Sequence, residues 1–260
     1  MTTVAVAGAT GAVGAPLVSV LRARGVRVAP ISRSNGVDLR TGVGLEGAME
    51  GADAIVDVSN VVTTRRRAAV DFFGETTARL LSAVRDVRVR HYVALSIVGV
   101  DEIDYGYYEG KRVQERLVRS AGLPATILRA TQFHEFAGQM LERMRFGPLV
   151  IIPALLARPV SAREVADVLA DLVVEEPVTA ASSTPLEMAG PETLTLIEMV
   201  RKFQQRVGDR HLAVSVSLPG LAGRTMRHGG LIPREPTFRQ GTVTFTDWLD
   251  ALPALSHPHG

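Results

Sequence analysis

Apolar and polar positions alternate along the first half of the chain in a way that predicts strands followed by helices. Val4-Ala5-Val6-Ala7 is a short apolar run, and apolar residues at helical spacing follow it from Leu17 to Leu21. Strands and helices joined by short connections predict an α/β protein with a doubly wound, mostly parallel sheet, a Rossmann fold. The further predicted strands cover 26–31, 54–58, 91–95 and 125–128, and the further helices cover 45–49, 70–84 and 111–120.

The second half of the chain predicts two more helices, each with a start signal. Ser161 with Glu164, and Thr195 with Glu198, have the spacing of a capping box. An apolar stripe at helical spacing follows each pair, which indicates a helix that faces the core. A strand is predicted between these helices over 185–189.

We expect a single domain over residues 1–260. A small C-terminal substrate lobe is predicted from about 133–153 and 190–260. His257 and His259 in the tail are expected to be exposed and without a role.

Composition fits an ordered globular protein, with 46% hydrophobic and 22% charged residues. The chain has no cysteine, which excludes disulfides, thiolate metal sites and cysteine nucleophiles. No apolar stretch reaches the ~18 residues of a membrane span. Met1-Thr2-Thr3 leads directly into a strand without the features of a signal peptide. We therefore expect a cytoplasmic protein with no membrane partner.

Charge and short motifs exclude several other classes of function. The net charge of +2 is small, and the basic run at 65–67 is predicted to be a solvated helix face, so no nucleic-acid partner is expected. His134-Glu135 lacks a second histidine at helical spacing, so no metal site is expected. No G-x-S-x-G motif is present, which sets aside a serine hydrolase. The sequence indicates no particular oligomeric state.

Three glycines between the first strand and the first helix form a G-x-x-G-x-x-G pattern, which predicts a dinucleotide-binding loop. The first glycine permits a sharp turn, the second lets backbone amides approach a pyrophosphate, and the third lets the helix pack closely on the sheet. A triphosphatase loop is excluded because no Gly-Lys-Ser/Thr closes the pattern. The predicted cofactor contacts here are Gly8, Thr10, Gly11, Ala12, Val13 and Gly14.

The end of the second strand favours NADP over NAD. An acidic residue there would bond the ribose 2′-hydroxyl, but this chain has Ser32 and Arg33, which suit a 2′-phosphate. The alternative is that Arg33 is simply a solvated loop residue.

Several of these segments together resemble the atypical short-chain dehydrogenase/reductase group, and within it the NmrA-like, NAD(P)-binding members. The resemblance covers roughly residues 1 to 207. Its motifs indicate the fold and the cofactor more specifically than the reaction. The segments that carry it are G-A-T-G-x-x-G at 8–14, Arg33, Asp38-Leu39, 123–133, 160–169 and 190–196.

This resemblance implies further cofactor contacts. Asp38 and Leu39 would lie near the adenine, and Ser59 and Asn60 would lie along the cofactor. Asn60 is also placed there by its position at the carboxyl end of a strand, where open α/β sheets bind ligands.

Tyr107 and Lys111 stand four residues apart, so on a helix their side chains share one face. The resemblance makes them the Y-x-x-x-K pair, with Tyr107 as proton donor and Lys111 also holding the nicotinamide ribose. The ammonium is expected to lower the pKa of the phenol. Ser96, directly after the strand ending at Leu95, would orient the substrate oxygen.

A chance spacing is the alternative, because three tyrosines crowd together at 105, 107 and 108. Gly106 and Gly110 also weaken the helix where it must be firm. NmrA-like proteins often keep the lysine, lose the tyrosine and serve as cofactor sensors.

The predicted substrate contacts follow the strand at 125–128, and they are Thr131, Gln132, Phe133 and His134. The function expected is an NADP-dependent oxidoreductase that passes a hydride between the nicotinamide and a small carbonyl or quinone-like substrate. A non-catalytic NADP-binding sensor and a sugar-type epimerase are the alternatives.

Overall fold

The chain builds a central sheet of seven strands in which every neighbouring pair is parallel. A computed structural model describes residues 2–87, 89–174, 184–234 and 237–253. His257 and His259 lie outside the described residues. Within the described ranges, no helix is long and apolar enough to cross a bilayer.

The predicted elements follow one another in the expected order, and further short elements that were not predicted lie in the C-terminal half. The strands are β1 Thr3–Ala7, β2 Arg27–Ile31, β3 Ala54–Asp57, β4 His91–Ile97, β5 Ala125–Ala130, β6 Arg145–Phe146, β7 Leu149–Pro153, β8 Leu156–Ala157, β9 Leu186–Ala189, β10 Leu194–Thr195, β11 Leu212–Val216 and β12 Arg239–Gln240. The helices are α1 Gly14–Ala23, α2 Leu45–Met49, α3 Arg66–Val87, α4 Gly106–Ser120, α5 Phe136–Arg143, α6 Ala162–Val174, α7 Leu196–Val207, α8 Gly220–Arg227 and α9 Phe245–Ala251.

Strand order positions the site. The central sheet runs β12-β9-β5-β4-β3-β1-β2, so the chain leaves β1 towards β2 on one side and later returns to β3 on the other. This reversal opens a crevice at the carboxyl ends of β1 and β3, which is where open α/β sheets bind ligands. Gly8 follows β1, and Ser59 follows β3, so both lie at this crevice.

Side chains alternate across the sheet and bury both faces. Val4, Val6 and Val56 pack into the core under α1 and α6. Ala5 and Ile55 pack into a second core, against residues from α2, α3 and α4. The predicted doubly wound parallel fold is confirmed.

A third core lies in the C-terminal part of the chain. Leu141, Ile152, Met199, Ala213 and Leu249 come from five separate elements and are all buried in it. It includes a three-stranded sheet in the order β11-β7-β6. The division of the chain into one domain with a substrate lobe stays a prediction.

One of the two predicted capping boxes is present, and the other is wrong. Thr195 caps α7 and exchanges hydrogen bonds with Glu198, as expected. The carboxylate of Glu164 instead accepts from the backbone N–H of Thr242 at 2.6 Å and from its hydroxyl at 2.9 Å. Glu164 therefore ties α6 to a distant segment, which local spacing does not reveal.

Candidate functional site

Two of the three loop glycines are required by the protein's own backbone. Gly8 has a φ of +82°, and a Cβ on it would lie 2.8 Å from the carbonyl oxygen of Val58. A Cβ on Gly14 would lie 2.0 Å from the carbonyl oxygen of Gly8. Gly14 thus packs on the loop itself, whereas we expected it to serve packing of the helix on the sheet. Gly11 has more room, with Gly8 O at 3.3 Å.

The tip of this loop presents backbone rather than side chains. Thr10, Gly11 and Ala12 are exposed. Helix α1 follows with no side-chain cap and no acidic residue in its first turn. The N-terminal N–H groups and the positive end of the helix dipole therefore face outward without a built-in anion, which fits a pyrophosphate.

The residues after β2 differ in whether their side chains have hydrogen-bond partners. Ser32 is buried, and its hydroxyl bonds Ser34 and Asn35 within a 3₁₀ turn at Arg33–Asn35. The Arg33 side chain is exposed, and its guanidinium has no hydrogen bond or ion pair within the part of the chain that the structure describes. Its guanidinium can therefore bind an outside phosphate, while Ser32 already has local partners.

The segment after β3 lies against the glycine loop. Ser59 Cα would lie 2.9 Å from a Cβ on Gly8, and the buried hydroxyl of Ser59 has no protein partner among the described residues. Asn60 is exposed, and its side-chain oxygen accepts from the N–H of Val61 at 2.9 Å. A buried hydroxyl without a partner beside the crevice fits a site that takes a polar ligand.

Asp38 and Leu39 lie beyond the 3₁₀ turn. Asp38 Oδ1 accepts from the N–H of Arg40 at 2.8 Å, and Leu39 packs partly buried against the core under α3. Their predicted contact with adenine stays a prediction.

Tyr107 and Lys111 both lie on α4, so the predicted shared helix is present. The hydroxyl of Tyr107 donates to Asn60 Oδ1 at 2.9 Å, which directs it to the carboxyl end of β3. Burial raises the pKa of Tyr107 well above its ordinary value. The expectation that the lysine lowers this pKa is wrong for the protein without a ligand, because desolvation dominates.

Glycines at the start of α4 permit close packing on α3. A Cβ on Gly106 would lie 2.3 Å from the carbonyl oxygen of Thr64. A Cβ on Gly110 would lie 2.6 Å from the ring of Phe73. These glycines are therefore needed for the contact between helices, although they weaken the isolated helix.

The close approach places the Phe73 ring against both candidate residues. The ring centroids of Phe73 and Tyr107 are 5.7 Å apart in an edge-on arrangement, and Lys111 Nζ lies 4.3 Å from the Phe73 centroid. An aromatic face stabilises an ammonium group at this distance.

Lys111 is almost fully buried, with 4% of its surface exposed. Its Nζ donates to Leu95 O at 2.9 Å and to Gln114 Oε1 at 2.9 Å. Burial lowers the pKa of Lys111 to about 8, although the charges of Asp57 and Glu115 raise it in part. The pKa of this lysine therefore lies below that of an exposed lysine because of its burial.

Ser96 lies within β4 rather than after it, because the strand continues to Ile97. It is 5% exposed and lies beside Glu115 on the sheet face that α4 covers. Glu115 is buried and accepts two bonds from Arg129, at 2.9 and 2.7 Å. The predicted position of Ser96 after the strand is wrong, and its role as a substrate contact stays a prediction.

The four predicted substrate residues come together beside residues 158–160. Thr131 donates to the carbonyl of Arg158, Gln132 is buried near Tyr108, and Phe133 forms a bridge with Val160. Their contact with a substrate stays a prediction.

His134 is fully buried under α9. Its ring packs against Phe245 and Trp248, each at 5.6 Å between centroids. Burial lowers the pKa of His134. These packing partners give it a structural position in the third core.

The composition alone singles out Lys111, independently of the Y-x-x-x-K spacing. Lys111 and Lys202 are the two lysines of the chain, against 27 arginines. A chain that uses arginine almost everywhere but keeps a buried lysine there has a cation whose pKa, unlike that of arginine, shifts readily on burial. Gln114 and Asp57, which surround this lysine, carry no such signal.

Comparison with known proteins identifies the class of cofactor. A family model described as NAD(P)H-binding matches residues 8–176. No curated protein matches the chain.

Solved structures with the same fold share little sequence. An NADPH-dependent quinone oxidoreductase from Escherichia coli is 17% identical, with 95% of this chain and 98% of that chain covered and a TM-score of 0.64. A short-chain dehydrogenase/reductase superfamily protein from Agrobacterium tumefaciens with bound NAD is 18% identical, with 95% of each chain covered and a TM-score of 0.66. UDP-glucuronic acid 4-epimerase from Bacillus cereus is 15% identical, with 96% and 97% covered and a TM-score of 0.67.

At such identities the neighbours establish the fold, and the family model covers more than half of the chain. The NAD(P)-binding domain and the fold that the resemblance implies are confirmed, whereas its NmrA-like assignment stays a prediction. The chain belongs to the NAD(P)H-binding family.

Proposed function

We propose that this protein is an NADP-dependent oxidoreductase acting on a small carbonyl or quinone-like substrate. The observation that carries the proposal is the position of the Tyr107 hydroxyl, 2.9 Å from Asn60 at the carboxyl end of β3. A proton donor there faces the crevice between β1 and β3, where the fold binds its ligand. A phenol hydroxyl at this position is placed for proton transfer to a ligand in the crevice.

The side chains take separate roles. Tyr107 donates a proton to the substrate oxygen, and Ser96 orients that oxygen. Lys111 supplies a positive charge that stabilises the phenolate left behind and holds the nicotinamide ribose. When bound, the nicotinamide supplies the hydride.

The free guanidinium of Arg33 supports NADP over NAD. A 2′-phosphate can accept paired hydrogen bonds from a guanidinium, and none of the described residues pairs with Arg33. The similar protein from Escherichia coli is described as NADPH-dependent and as a quinone oxidoreductase.

A cofactor sensor is the second candidate. Burial raises the pKa of Tyr107, and its hydroxyl already has Asn60 as a partner, which favours a binding role without proton transfer. Such a protein would bind NADPH and present a different surface to a partner without turnover. A sugar epimerase would turn over substrate with no net change in NADPH.

Tyr107→Phe separates these functions. In an assay of NADPH oxidation with quinones and small aldehydes, we expect the variant to lose about 10²- to 10³-fold in kcat while its NADPH affinity stays the same. Tyr105→Phe, at the residue that precedes α4, is the matched control and should keep its rate. Turnover by Tyr107→Phe at the parent rate would show that Tyr107 is not the proton donor.

A further inference from the structure

A buried polar chain runs behind Lys111. Gln114 has no exposed surface. Its Oε1 accepts from Lys111 at 2.9 Å, and its Nε2 donates to Asp57 Oδ2 at 2.8 Å. Gln114 therefore links the ammonium of α4 to a carboxylate at the end of β3.

Asp57 fixes the orientation of this amide. The carboxylate is fully buried and also accepts from the Tyr92 hydroxyl at 3.0 Å and from the Ser59 N–H at 3.0 Å. An ionised carboxylate can only accept, so the amide nitrogen of Gln114 must face Asp57 and its oxygen must face Lys111. The reverse orientation would aim N–H at an ammonium group.

Two of the three N–H groups of Lys111 have hydrogen-bond acceptors in the protein. Of its three N–H donors, one is held by Leu95 O and one by Gln114 Oε1. A buried amine that loses an acceptor is costly to keep charged, because burial alone favours its neutral form.

We propose that Gln114 is a positioning residue that, held by Asp57, keeps the Lys111 ammonium charged and so able to bind the cofactor. The proposal rests on the proposed function for the identity of the ligand. The hydrogen-bond geometry that it uses belongs to the protein alone. Gln114 acts through Lys111 and touches neither substrate nor dinucleotide.

Other groups around Lys111 are already accounted for. Glu115 is paired with Arg129 and with Arg119, and the Tyr92 hydroxyl is bonded to Asp57. Helix α3 contributes the uncharged Phe73 ring. Among the described residues, the groups that contact Lys111 or act on its charge are thus Asp57 from β3, the Leu95 carbonyl from β4, Phe73 from α3, and Gln114 and Glu115 from α4.

The two-lysine composition makes a direct measurement possible. In full-length protein labelled with ¹³C-lysine, the Cε signals of Lys111 and Lys202 can be followed against pH. The ammonium of Lys202 bonds the Thr246 hydroxyl, at 3.4 Å, and serves as the internal reference. We expect Lys111 to titrate near its pKa of about 8 in the parent protein.

Two substitutions at Gln114 should move this titration in opposite directions. Gln114→Leu removes the acceptor, so the Lys111 midpoint should fall by about one pH unit. Gln114→Glu places a carboxylate at the ammonium, so the midpoint should rise. Gln204→Leu is the matched control, since Gln204 is also buried but donates to Asp209 and to the His211 carbonyl in the third core. It should leave Lys111 unchanged.

A role for Gln114 in packing alone predicts something else. Both variants would then lower stability without moving the Lys111 midpoint, or would move it in the same direction. Either result would overturn the proposal. If Gln114→Leu fails to fold, the isosteric Gln114→Glu still tests the proposal, because it must raise the Lys111 midpoint.

NADPH titration against pH separates this inference from the proposed function. If Lys111 holds the dinucleotide, affinity should weaken as pH rises through the Lys111 midpoint, and Gln114→Leu should move that weakening to lower pH. The Lys111 midpoint could shift in the variants while NADPH affinity stays independent of pH. That result would refute the cofactor contact of Lys111 and would still support positioning by Gln114.

Discussion

The glycine loop and the start of α4 meet the same crevice but are built in different ways. The loop is assembled mainly from neighbours, since a side chain on Gly14 would strike the Gly8 backbone and the Gly11 N–H bonds the Gly8 carbonyl. The start of α4 is assembled from distant parts of the chain. Tyr107 reaches Asn60, 47 positions away, and Gln114 reaches Asp57, 57 positions away.

This difference separates binding from chemistry. A loop that presents free amides suits any nucleotide phosphate, and its form is the same whatever reaction follows. The polar groups on α4 gain their pKa values and directions from tertiary contacts. Changes in the loop should therefore act on binding, and changes on α4 should act on charge and turnover.

The largest effect is expected where α4 is joined to β5. Glu115→Gln removes the buried carboxylate from Arg129, which keeps its pair with the exposed Asp101, and should reduce the free energy of unfolding by about 3 kcal/mol. Glu109→Gln, at a partly exposed carboxylate that pairs with Arg112, should cost less than about 1 kcal/mol. Urea denaturation at pH 7 measures both. Equal losses would show that burial of the pair does not matter.

The Glu115 effect should also depend on pH. Burial alone would raise the pKa of Glu115, but hydrogen bonds and charge from Arg129, with Ser96 and Arg119, outweigh it and lower the pKa. A carboxyl whose pKa is lower in the folded state stabilises the fold above its unfolded pKa of about 4.3. That stabilisation is lost as pH falls through the lower folded value. The difference between parent and variant should therefore shrink in acid.

An intermediate effect is expected in the glycine loop. Gly14→Ala forces a Cβ to 2.0 Å from Gly8 O, so the loop must shift. The free energy of unfolding should fall by about 2 to 3 kcal/mol, and NADPH binding should be lost. Gly11→Ala meets its nearest atom at 3.3 Å and should keep the stability while weakening NADPH binding. Thermal unfolding and NADPH fluorescence distinguish them. A stable Gly14→Ala that binds normally would contradict the packing of the loop.

The smallest effect is expected at the edge of the cofactor site. Arg33→Ser removes an exposed guanidinium without a described partner, so stability should not change. NADPH affinity should fall about 10-fold, the equivalent of one charged hydrogen bond, while NADH affinity stays the same. Titration with both nucleotides measures the ratio. An unchanged ratio would make Arg33 a solvated loop residue.

Much of the fold was predictable because its signals are local. Apolar runs such as Val4 to Ala7 and the stripe after Thr195 lie where the pattern predicts them, and the glycine spacing locates the loop. Strand ends were less certain, since β4 extends past Leu95 through pairing with β5 and so takes in Ser96. Pairing between strands decides such ends, and a single segment does not contain it.

The contacts that set the chemistry were not predictable for the same reason. Glu164 was expected to cap its own helix but bonds Thr242. The pKa of Tyr107 was expected to fall beside a lysine, but burial by other elements raises it. The helical spacing of Tyr107 and Lys111 was correct, whereas Phe73, Gln114 and Asp57 enter only through the packing of α3 and β3 against α4.

The strand order bears on how a growing chain could acquire this shape. After β2, each later strand of the central sheet joins the same side, in the order β3, β4, β5, β9 and β12. A chain made from its N-terminus can therefore extend the sheet one strand at a time during synthesis. Each new strand pairs with the exposed edge of the strand before it. An aggregation-prone edge is therefore exposed only until the next strand of the sheet has been synthesised.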